Sequence, residues 1–350
     1  MLEDGRRFDG VALGARGTAL GEVVFNTSMT GYQEILTDPS YAGQLVTMTY
    51  PLQGNYGVND EDEESTGPQV AGFIEREAAR RYSSWRADAS LQIYLEHHGV
   101  VGIAELDTRS LTRHIRSRGA MRGAIAPREV DPGELGERIL DHPRMEGLDL
   151  ARGVSTGQPY VVEARGDTRF EVLAYDFGVK AHSPRLLAER GCRVTVLPSG
   201  TAAADIVARR PDGLFLSNGP GDPAAVEDAR TAIVRLSEDD VPVFGICLGH
   251  QLIARAFGGR TYKLPFGHHG GNHPVEHLDR GTVEITAQNH GFAVESAGGR
   301  GVPGAPDLEV THVNLYDGTV EGLRHLERPV TSVQYHPEAA PGPHDSRYLF

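Results

Sequence analysis

The pattern of apolar and polar positions changes partway along the chain. Residues 1–150 alternate short apolar runs, such as GEVVFNTS and GQLVTMTYPL, with Gly, Pro and Asp, and include a helical stretch at ASLQIYLEHHG. This mixture predicts a smaller N-terminal domain of mixed α and β structure. Between residues 151 and 169 the periodicity weakens and Gly, Pro and Asp are frequent, which predicts a linker between domains.

From residue 170 onward, strand-like and helix-like segments alternate. The apolar runs are FEVLAYD, RVTVLP, GLFLSN and VPVFGIC, and the helical patterns are SPRLLAERG, AAADIVARR, AAVEDARTAIVRLSEDD and LGHQLIARAFGG. Near-continuous apolar strands that alternate with helices are typical of a parallel sheet covered on both faces. The pattern therefore predicts a doubly wound α/β domain over residues 170–350, with its ligand at the carboxyl ends of the strands.

Local signals mark the ends of some of these helices. Ser183 followed by Pro184 is a favourable N-cap and first helical residue, while Gly191 and Gly258 stand where helices should end. Beyond them, GTVEIT, LEVTHVNL and VTSVQYH return to strand patterns. The last third of the chain is therefore expected to add further strands.

Composition and charge narrow the class of protein. The chain has 350 residues and a formal net charge of −14, which argues against a nucleic-acid partner because phosphate binding needs clustered Lys and Arg. No apolar stretch approaches the roughly 18 residues that span a bilayer. The N-terminal MLEDGRRFDG does not have the features of a signal peptide. We therefore expect no membrane association and a cytoplasmic location.

The two cysteines, Cys192 and Cys247, differ in their surroundings. Free cysteine is among the most buried residue types, and Cys192 enters a predicted strand with no candidate base nearby, so it is expected to be structural. Cys247 lies in GICLG (245–249), where a predicted strand gives way to a helix. Small flanking residues permit the sharp turn that presents a nucleophile, and the helix N-terminus favours the thiolate. This position favours a nucleophilic role for Cys247 over that of a buried structural residue.

Two further segments could complete a site around Cys247. In SVQYHPEAA, His336 and Glu338 are two residues apart at the end of a predicted strand, so in extended chain they point the same way. Glu338 would orient His336, which would act as the base. In SNGPGDP (217–223), Gly219 and Gly221 let backbone N–H groups approach a ligand, as an oxyanion hole requires. Taken singly, each segment could also be an ordinary turn.

SNGPGDP, GICLGHQ and QYHPEA, in that order, resemble the class I glutamine amidotransferases, whose Cys-His-Glu site releases ammonia from glutamine. Other motifs are similar to those of the small subunits of carbamoyl phosphate synthetases: FNTSMTGYQEILTDPSYAGQLVTMTYPLQGNYGVN, DTRSLTRHIRSRG, YDFGVK, GHHGGNHPV and QNHGFAV. The resemblance spans nearly the entire chain. It implies a flavodoxin-like amidotransferase domain preceded by the N-terminal domain of that family.

The resemblance also implies a function. The chain would be the glutaminase subunit of a glutamine-hydrolysing carbamoyl phosphate synthetase and would deliver ammonia to a large subunit, for arginine and pyrimidine biosynthesis. The large subunit would use bicarbonate, ammonia and ATP with Mg, and this chain would need no cofactor. The two would form a heterodimer, and a higher oligomer of such heterodimers stays open.

Carried over by motif, Cys247 would be the nucleophile, His336 the base and acid, and Glu338 the residue that orients His336. The implied contacts to the L-glutamine substrate are Ser28, Gly219, Gly221, Leu248, Gln251, Asn289, Gly291 and Phe292.

Two alternatives are a different class I amidotransferase and a catalytically silent regulatory or scaffold subunit. The N-terminal 150 residues argue against the first, and the intact Cys-His-Glu set argues against the second. No metal is expected at GHHGGNHPV, since no carboxylate or thiolate completes a ligand set. GRGVPG (299–304) opens no predicted helix and the dipeptide Gly-Lys does not occur, so nucleotide chemistry is expected on another chain.

Overall fold

A computed structural model describes residues 1–226 and 229–350. The chain divides into two compact units. The first comprises Met1–Met145 and Pro265–Gly270, and the second comprises Glu146–Leu264 and Gly271–Phe350. Each unit has hydrophobic clusters of its own. The segment Pro265–Gly270 thus belongs to the first unit, although the sequence pattern predicts a continuous C-terminal domain over residues 170–350.

The first unit is built on a mixed sheet. Its strands are β1 (Val11–Gly14), β2 (Ala19–Asn26), β3 (Gln44–Met48), β4 (Leu52–Gln53), β5 (Gly72–Ile74), β6 (Glu77–Ala78), β7 (Val101–Ala104) and β8 (Met121–Ile125). The main sheet has the order β1-β7-β5-β3-β2-β8, and β4 pairs with β6. The helices are α1 (Tyr32–Thr37), α2 (Leu91–His97), α3 (Thr108–Arg118) and α4 (Pro132–Asp141). The predicted mixture of α and β structure is confirmed.

Two helices of the first unit begin at acidic caps. The Asp107 side chain accepts a hydrogen bond from the Ser110 N–H at 2.9 Å at the start of α3. Asp131 caps α4 in the same way, and the first helical residue there is a proline, which has no N–H to satisfy. On α3, Leu111 and Ile115 pack into a buried cluster with strand residues. Capping and one apolar face together account for this helix.

The second unit contains the remaining elements. Its helices are α5 (Ala151–Val154), α6 (His182–Glu189), α7 (Ala203–Ala208), α8 (Ala229–Glu238) and α9 (Leu248–Ala256). Its strands are β9 (Tyr160–Val162), β10 (Phe170–Asp176), β11 (Cys192–Pro198), β12 (Gly213–Leu216), β13 (Val243–Ile246), β14 (Thr261–His277), β15 (Thr282–Val294), β16 (Gly301–Val302), β17 (Ala305–Asn314), β18 (Val320–His325) and β19 (Val330–Val333). The middle of β14, residues 265–270, is the part assigned to the first unit.

The strands of the second unit form a sheet in the order β15-β14-β17-β18-β19-β13-β12-β10-β11-β9, with β16 beside β17. Neighbours from β11 through β10, β12 and β13 to β19 run parallel. The predicted doubly wound α/β domain is therefore confirmed. The carboxyl ends of β10, β12, β13 and β19 meet at one edge of this sheet, because parallel strands all end on the same side.

Residues 151–169, expected to form a linker, are part of the second unit. Within them, β9 pairs antiparallel with β11, which satisfies the backbone groups that β9 directs toward the sheet. Ala151 on α5 is fully buried in the largest hydrophobic cluster of the unit. The weak periodicity of the segment reflects a short helix and a short edge strand, and the boundary lies at Met145.

The predicted helix ends are partly confirmed. Gly191 and Gly258 follow α6 and α9 with φ angles of 85° and 100°, values at which glycine is favoured. By contrast, α6 begins at His182 rather than after Ser183, which is buried inside the helix. The helix predicted over 224–240 is described as α8 from Ala229 onward, and Glu227 and Asp228 lie outside the described residues. Within 1–226 and 229–350, no helix is long and apolar enough to cross a bilayer.

Candidate active site

Cys247 sits at a tight turn between β13 and α9. It has φ 53° and ψ −104°, a backbone conformation that non-glycine residues rarely adopt. Its N–H donates to the Val333 carbonyl at 2.9 Å, and the Gly249 N–H donates to the Ser217 carbonyl at 3.1 Å. These bonds hold the turn against the ends of neighbouring strands. The strained geometry is the one expected of a nucleophile elbow.

The two glycines that flank Cys247 are required by close packing. A Cβ on Gly245 would lie 2.7 Å from the backbone of Gly249, and a Cβ on Gly249 would lie 2.3 Å from the Leu216 carbonyl oxygen. Both neighbours are backbone atoms, which cannot move aside as a flexible side chain can. The small residues of GICLG therefore allow α9 to pack directly against the end of β12.

His336 and Glu338 follow β19 and form a close pair. Nδ1 of His336 lies 2.6 Å from Oε1 of Glu338, and both side chains are buried. The pairing does not come from the predicted strand alternation, because β19 ends at Val333. Instead the Ala339 N–H donates to the His336 carbonyl at 3.1 Å and closes a turn. Pro337 occupies the second position of that turn, where proline is favoured.

Lys180 provides a cation for this pair. Its Nζ lies 3.1 Å from Oε1 of Glu338, and the two side chains are 3% and 0% exposed. Lys180 follows β10, and its N–H donates to the Asn218 side-chain oxygen at 3.3 Å. The motif YDFGVK contributes to the family resemblance, but no role for Lys180 was predicted from it. A buried lysine leaves no local pattern in a sequence, so only the fold identifies its partner.

The charges of this group shift two pKa values. Burial alone would lower the pKa of His336, but the Glu338 charge and the neighbouring Cys247 thiol outweigh it and raise the pKa to about 10. Burial alone would raise the pKa of Glu338, but Lys180 and His336 hold it well below its usual range. At neutral pH this geometry favours an ionised carboxylate and a protonated imidazole. Because Nδ1 faces Glu338, Nε2 is the ring nitrogen available to the thiol.

The turn after β12 brings Gly219 and Gly221 to the same sheet edge. A Cβ on Gly219 would lie 2.1 Å from the Phe177 carbonyl oxygen and 3.0 Å from the Leu248 side chain. Gly221 has φ 91°, and a Cβ there would lie 2.6 Å from the Leu148 carbonyl oxygen. The backbone of this turn therefore approaches the first residue of α9. Leu248, at the helix start, has a backbone N–H without an intrahelical acceptor.

The strand β15 contributes the other predicted substrate residues of this unit. The Cys247 thiol donates to the Asn289 carbonyl oxygen at 3.5 Å. The Gln251 side-chain amide donates to the Phe292 carbonyl at 2.8 Å and to Oε1 of Gln334 at 3.0 Å. Gly291 lies between Asn289 and Phe292 on the same strand. The structure thus brings the predicted residues of the second unit together, and their roles as glutamine contacts stay predictions.

Ser28, the remaining predicted contact, lies in the first unit just after β2. Its N–H donates to the Asn26 side-chain oxygen at 2.7 Å. Asn26 is in turn held by a bond from its Nδ2 to the Tyr41 hydroxyl at 2.8 Å. The backbone around Ser28 is therefore fixed within its own unit, and its role toward substrate stays a prediction.

Cys192 contrasts with Cys247. It begins β11 and packs into a buried apolar cluster. Burial raises the pKa of its thiol, which disfavours the reactive thiolate. This environment fits the structural role expected for Cys192.

Comparison with known proteins gives two family matches. Residues 1–125 match the family described as carbamoyl-phosphate synthase small chain, CPSase domain, and residues 173–350 match glutamine amidotransferase class-I. The carbamoyl phosphate synthase small chain of Synechococcus sp. is 54% identical over 100% of this chain and 90% of its own length. That of Escherichia coli K12 is 50% identical over 100% of this chain and 94% of its own length.

A solved glutamine amidotransferase from Thermotoga maritima is similar over 48% of this chain and 76% of its own length, with 15% identity and a TM-score of 0.39. The two family matches and the full-length identities confirm the resemblance carried by the motifs. The chain belongs to the carbamoyl phosphate synthase small-chain family and carries a class I glutamine amidotransferase domain.

Proposed function

We propose that the chain hydrolyses glutamine and passes the ammonia to a large chain, which makes carbamoyl phosphate from bicarbonate, ammonia and ATP with Mg. The product would serve arginine and pyrimidine biosynthesis, and this chain would need no cofactor of its own. The observation that carries the proposal is the buried series Cys247, His336, Glu338 and Lys180 at the carboxyl edge of the parallel sheet. Such a series supplies a nucleophile, a proton carrier and a fixed counter-charge.

The reaction would begin with attack of the Cys247 thiolate on the side-chain carbonyl carbon of glutamine. Backbone N–H groups near Gly219 and Leu248 would receive the oxyanion, and each such donor typically contributes about 3 kcal/mol to lowering the barrier. The protonated His336 would give its proton to the departing ammonia as the carbon–nitrogen bond breaks. A γ-glutamyl thioester on Cys247 would remain.

In the second half of the reaction, His336 would act as a base instead of an acid. His336, now neutral, would take a proton from water as the water oxygen attacks the thioester carbonyl. The carbon–sulfur bond would then break, releasing glutamate and the Cys247 thiolate. Glu338 keeps Nδ1 of His336 engaged throughout, so Nε2 would carry the proton in both halves.

The decisive experiment replaces Cys247 by alanine in the complex with the large chain. We expect glutamine-dependent carbamoyl phosphate synthesis to be abolished while synthesis from added ammonium continues, because only the thioester step is lost. Cys192→Ala serves as the matched control, since it removes the other buried thiol, and it should retain nearly full glutamine-dependent activity.

Retention of glutamine-dependent synthesis by Cys247→Ala would contradict the nucleophile assignment. Glutamate release by the unaltered chain addresses the alternative of a silent scaffold. If neither the free chain nor its complex released glutamate from glutamine, the scaffold alternative would be supported instead.

A further inference from the structure

One surface of the first unit exposes an aromatic side chain to an unusual degree. Trp85, the only tryptophan of the chain, is 93% exposed. Tyr82, three residues earlier, is 40% exposed. An exposed aliphatic residue is ordinary, but tryptophan is highly buried on average because exposing its large ring to water costs much free energy. Trp85 therefore calls for a physical explanation.

The segment that carries Trp85 is fixed rather than loose. The Ala87 N–H donates to the Ser84 carbonyl at 3.2 Å, which places Trp85 at the corner of a tight turn. On one side of the turn, the Ser83 N–H donates to the Asn55 carbonyl at 3.0 Å, and on the other, the Asp88 N–H donates to the Val58 carbonyl at 2.8 Å. We call residues 80–88 the Trp85 turn.

Side chains strengthen the same attachment. Arg86 pairs with Asp62 at 2.5 Å and with Glu61 at 3.1 Å. A Cβ on Gly57 would lie 2.9 Å from the Tyr82 ring and 2.6 Å from the Ala87 methyl group, so both ends of the turn rest on this glycine. A rigid aromatic side chain loses little conformational entropy when a partner covers it.

The charge around the Trp85 turn differs from that of the whole chain. Residues 80–88 contain three arginines and one acidic residue, Asp88, whereas the chain carries a net charge of −14. Arg86 is engaged with Asp62 and Glu61, while Arg80 and Arg81 are exposed and make no ion pair with any residue in 1–226 or 229–350. Tryptophan, tyrosine and arginine are the residue types that dominate binding energy in protein interfaces.

We propose that the Trp85 turn is an anchor for the large chain, with Trp85 filling an apolar pocket whose rim is acidic. This inference rests on the proposed function, which requires such a partner. The turn lies within residues 1–125, which match the domain particular to carbamoyl phosphate synthase small chains rather than the amidotransferase domain shared with other enzymes. A partner particular to this family would therefore bind the part of the chain particular to this family.

The test measures binding of the purified chain to its large chain. Trp85→Ser should weaken the complex by about 30-fold, the size expected for a central aromatic anchor. Leu326→Ser is the matched control, since Leu326 is 59% exposed but lies in the second unit, and it should bind normally. Glutamine hydrolysis by free Trp85→Ser should equal that of the unaltered chain, because the side chain is almost fully in solvent.

A second measurement follows oxidation of Trp85 by hydroxyl radicals, read by mass spectrometry in the unaltered chain. We expect strong protection in the complex and none in the free chain at any concentration. Equal binding by Trp85→Ser, or equal oxidation with and without the large chain, would overturn the proposal. So would protection that rises with concentration of the chain alone, since that would assign the turn to contacts between copies.

These outcomes separate the two proposals. If the unaltered chain hydrolyses glutamine and binds the large chain but Trp85→Ser binds equally well, only the assignment of the surface fails. If the unaltered chain releases no glutamate, the proposed function fails whatever Trp85 does.

Discussion

Glu338 carries a full negative charge in a place where water cannot reach it. It is 0% exposed, and its stability as a carboxylate comes from Lys180 on one side and His336 on the other. Removing two charges from water is expensive unless they are closely paired, so each of these three side chains depends on the others. The chemistry proposed for His336 therefore depends on Lys180, which lies two contacts away from the thiol.

Glu338→Gln removes the carboxylate that faces Nδ1 of His336. Without the carboxylate, the main cause of the raised pKa of His336 is lost, so that pKa should fall by about 1–3 units. The imidazole would then support the thiolate less well. The pH profile for alkylation of Cys247 by iodoacetamide should move to higher pH, and single-turnover hydrolysis should slow less than in His336→Asn, which removes the proton carrier itself. An unchanged alkylation profile would show that Glu338 does not set the charge of His336.

Lys180→Met tests the buried ion pair. Without Lys180 the buried Glu338 carboxylate loses one of its two counter-charges and retains His336, so the free energy of unfolding should fall by about 1–3 kcal/mol, measured by denaturant titration at pH 7. The double variant Lys180→Met with Glu338→Gln removes both charges and should recover most of that loss. If the two single losses simply added in the double variant, the two side chains would not be coupled.

The proposed catalytic residues and Lys180 differ in how far the sequence alone could identify them. Cys247 stands in a local pattern of small residues at a strand-to-helix junction, and this junction is where the structure has it. His336 and Glu338 were also found by spacing, although a turn rather than an extended strand pairs them. Lys180 was missed because its partner is far along the chain and only the order of β10 and β19 in the sheet brings the two segments to one edge.

At the scale of elements, α9 and the strands beneath it form a single rigid support for Cys247. The helix packs so closely on the end of β12 that Gly249 has no room for a side chain. The helix start is also the position from which backbone N–H groups would face a developing negative charge. The position of one helix therefore controls both Cys247, the proposed nucleophile, and the proposed oxyanion donors.

Gly249→Ala should disturb both Cys247 and the proposed oxyanion donors. Its Cβ would lie 2.3 Å from the Leu216 carbonyl oxygen, so α9 must move away from β12. We expect a loss of about 1–3 kcal/mol in unfolding free energy and a marked loss of glutamine hydrolysis. Gly153→Ala on α5 is the matched control, since a Cβ there meets nothing within 4 Å, and it should leave both properties unchanged. Full activity in Gly249→Ala would mean that the helix position is not critical.

Element prediction succeeded where the local pattern was strong. The strands β10 to β13 were evident because each is a short apolar run next to an amphipathic helix. The segment 151–169 was misread as a linker because α5 and β9 span only a few residues each, too few for a periodic signal. Their structure depends on pairing with β11 and on burial of Ala151, and neither is visible in the local sequence.

At the scale of the whole molecule, Glu75 introduces a dependence of stability on pH. It follows β5 in the first unit and is 0% exposed, and burial raises its pKa to about 8. Neither of its carboxyl oxygens has a hydrogen-bond partner in the part of the chain that the structure describes. The folded state therefore holds a proton on Glu75 that the unfolded chain releases near pH 4.5.

The direction in which stability changes with pH follows from the number of protons bound by the folded and unfolded states. Between about pH 4.5 and pH 8 the folded chain binds more protons than the unfolded chain, so stability should fall as pH rises and then level off. Glu75→Gln should remove this slope, which amounts to about 3–5 kcal/mol over the whole range. Thermal unfolding across this pH range provides the measurement. Glu77→Gln, at an exposed position on β6, should keep the slope, and a slope retained by Glu75→Gln would assign it to other groups.

The first unit is discontinuous in sequence, because it is completed by Pro265–Gly270. Phe266 stacks on Phe25 with ring centroids 5.9 Å apart, and the Ala120 N–H donates to the Pro265 carbonyl at 2.7 Å. No single cut of the chain therefore yields two complete domains. A fragment ending at Met145 lacks part of its own core. A fragment starting at Glu146 retains Pro265–Gly270, which belongs to the first unit. The two domains are thus not interchangeable modules, and a working chimera of two relatives must take both parts of the first unit from the same parent.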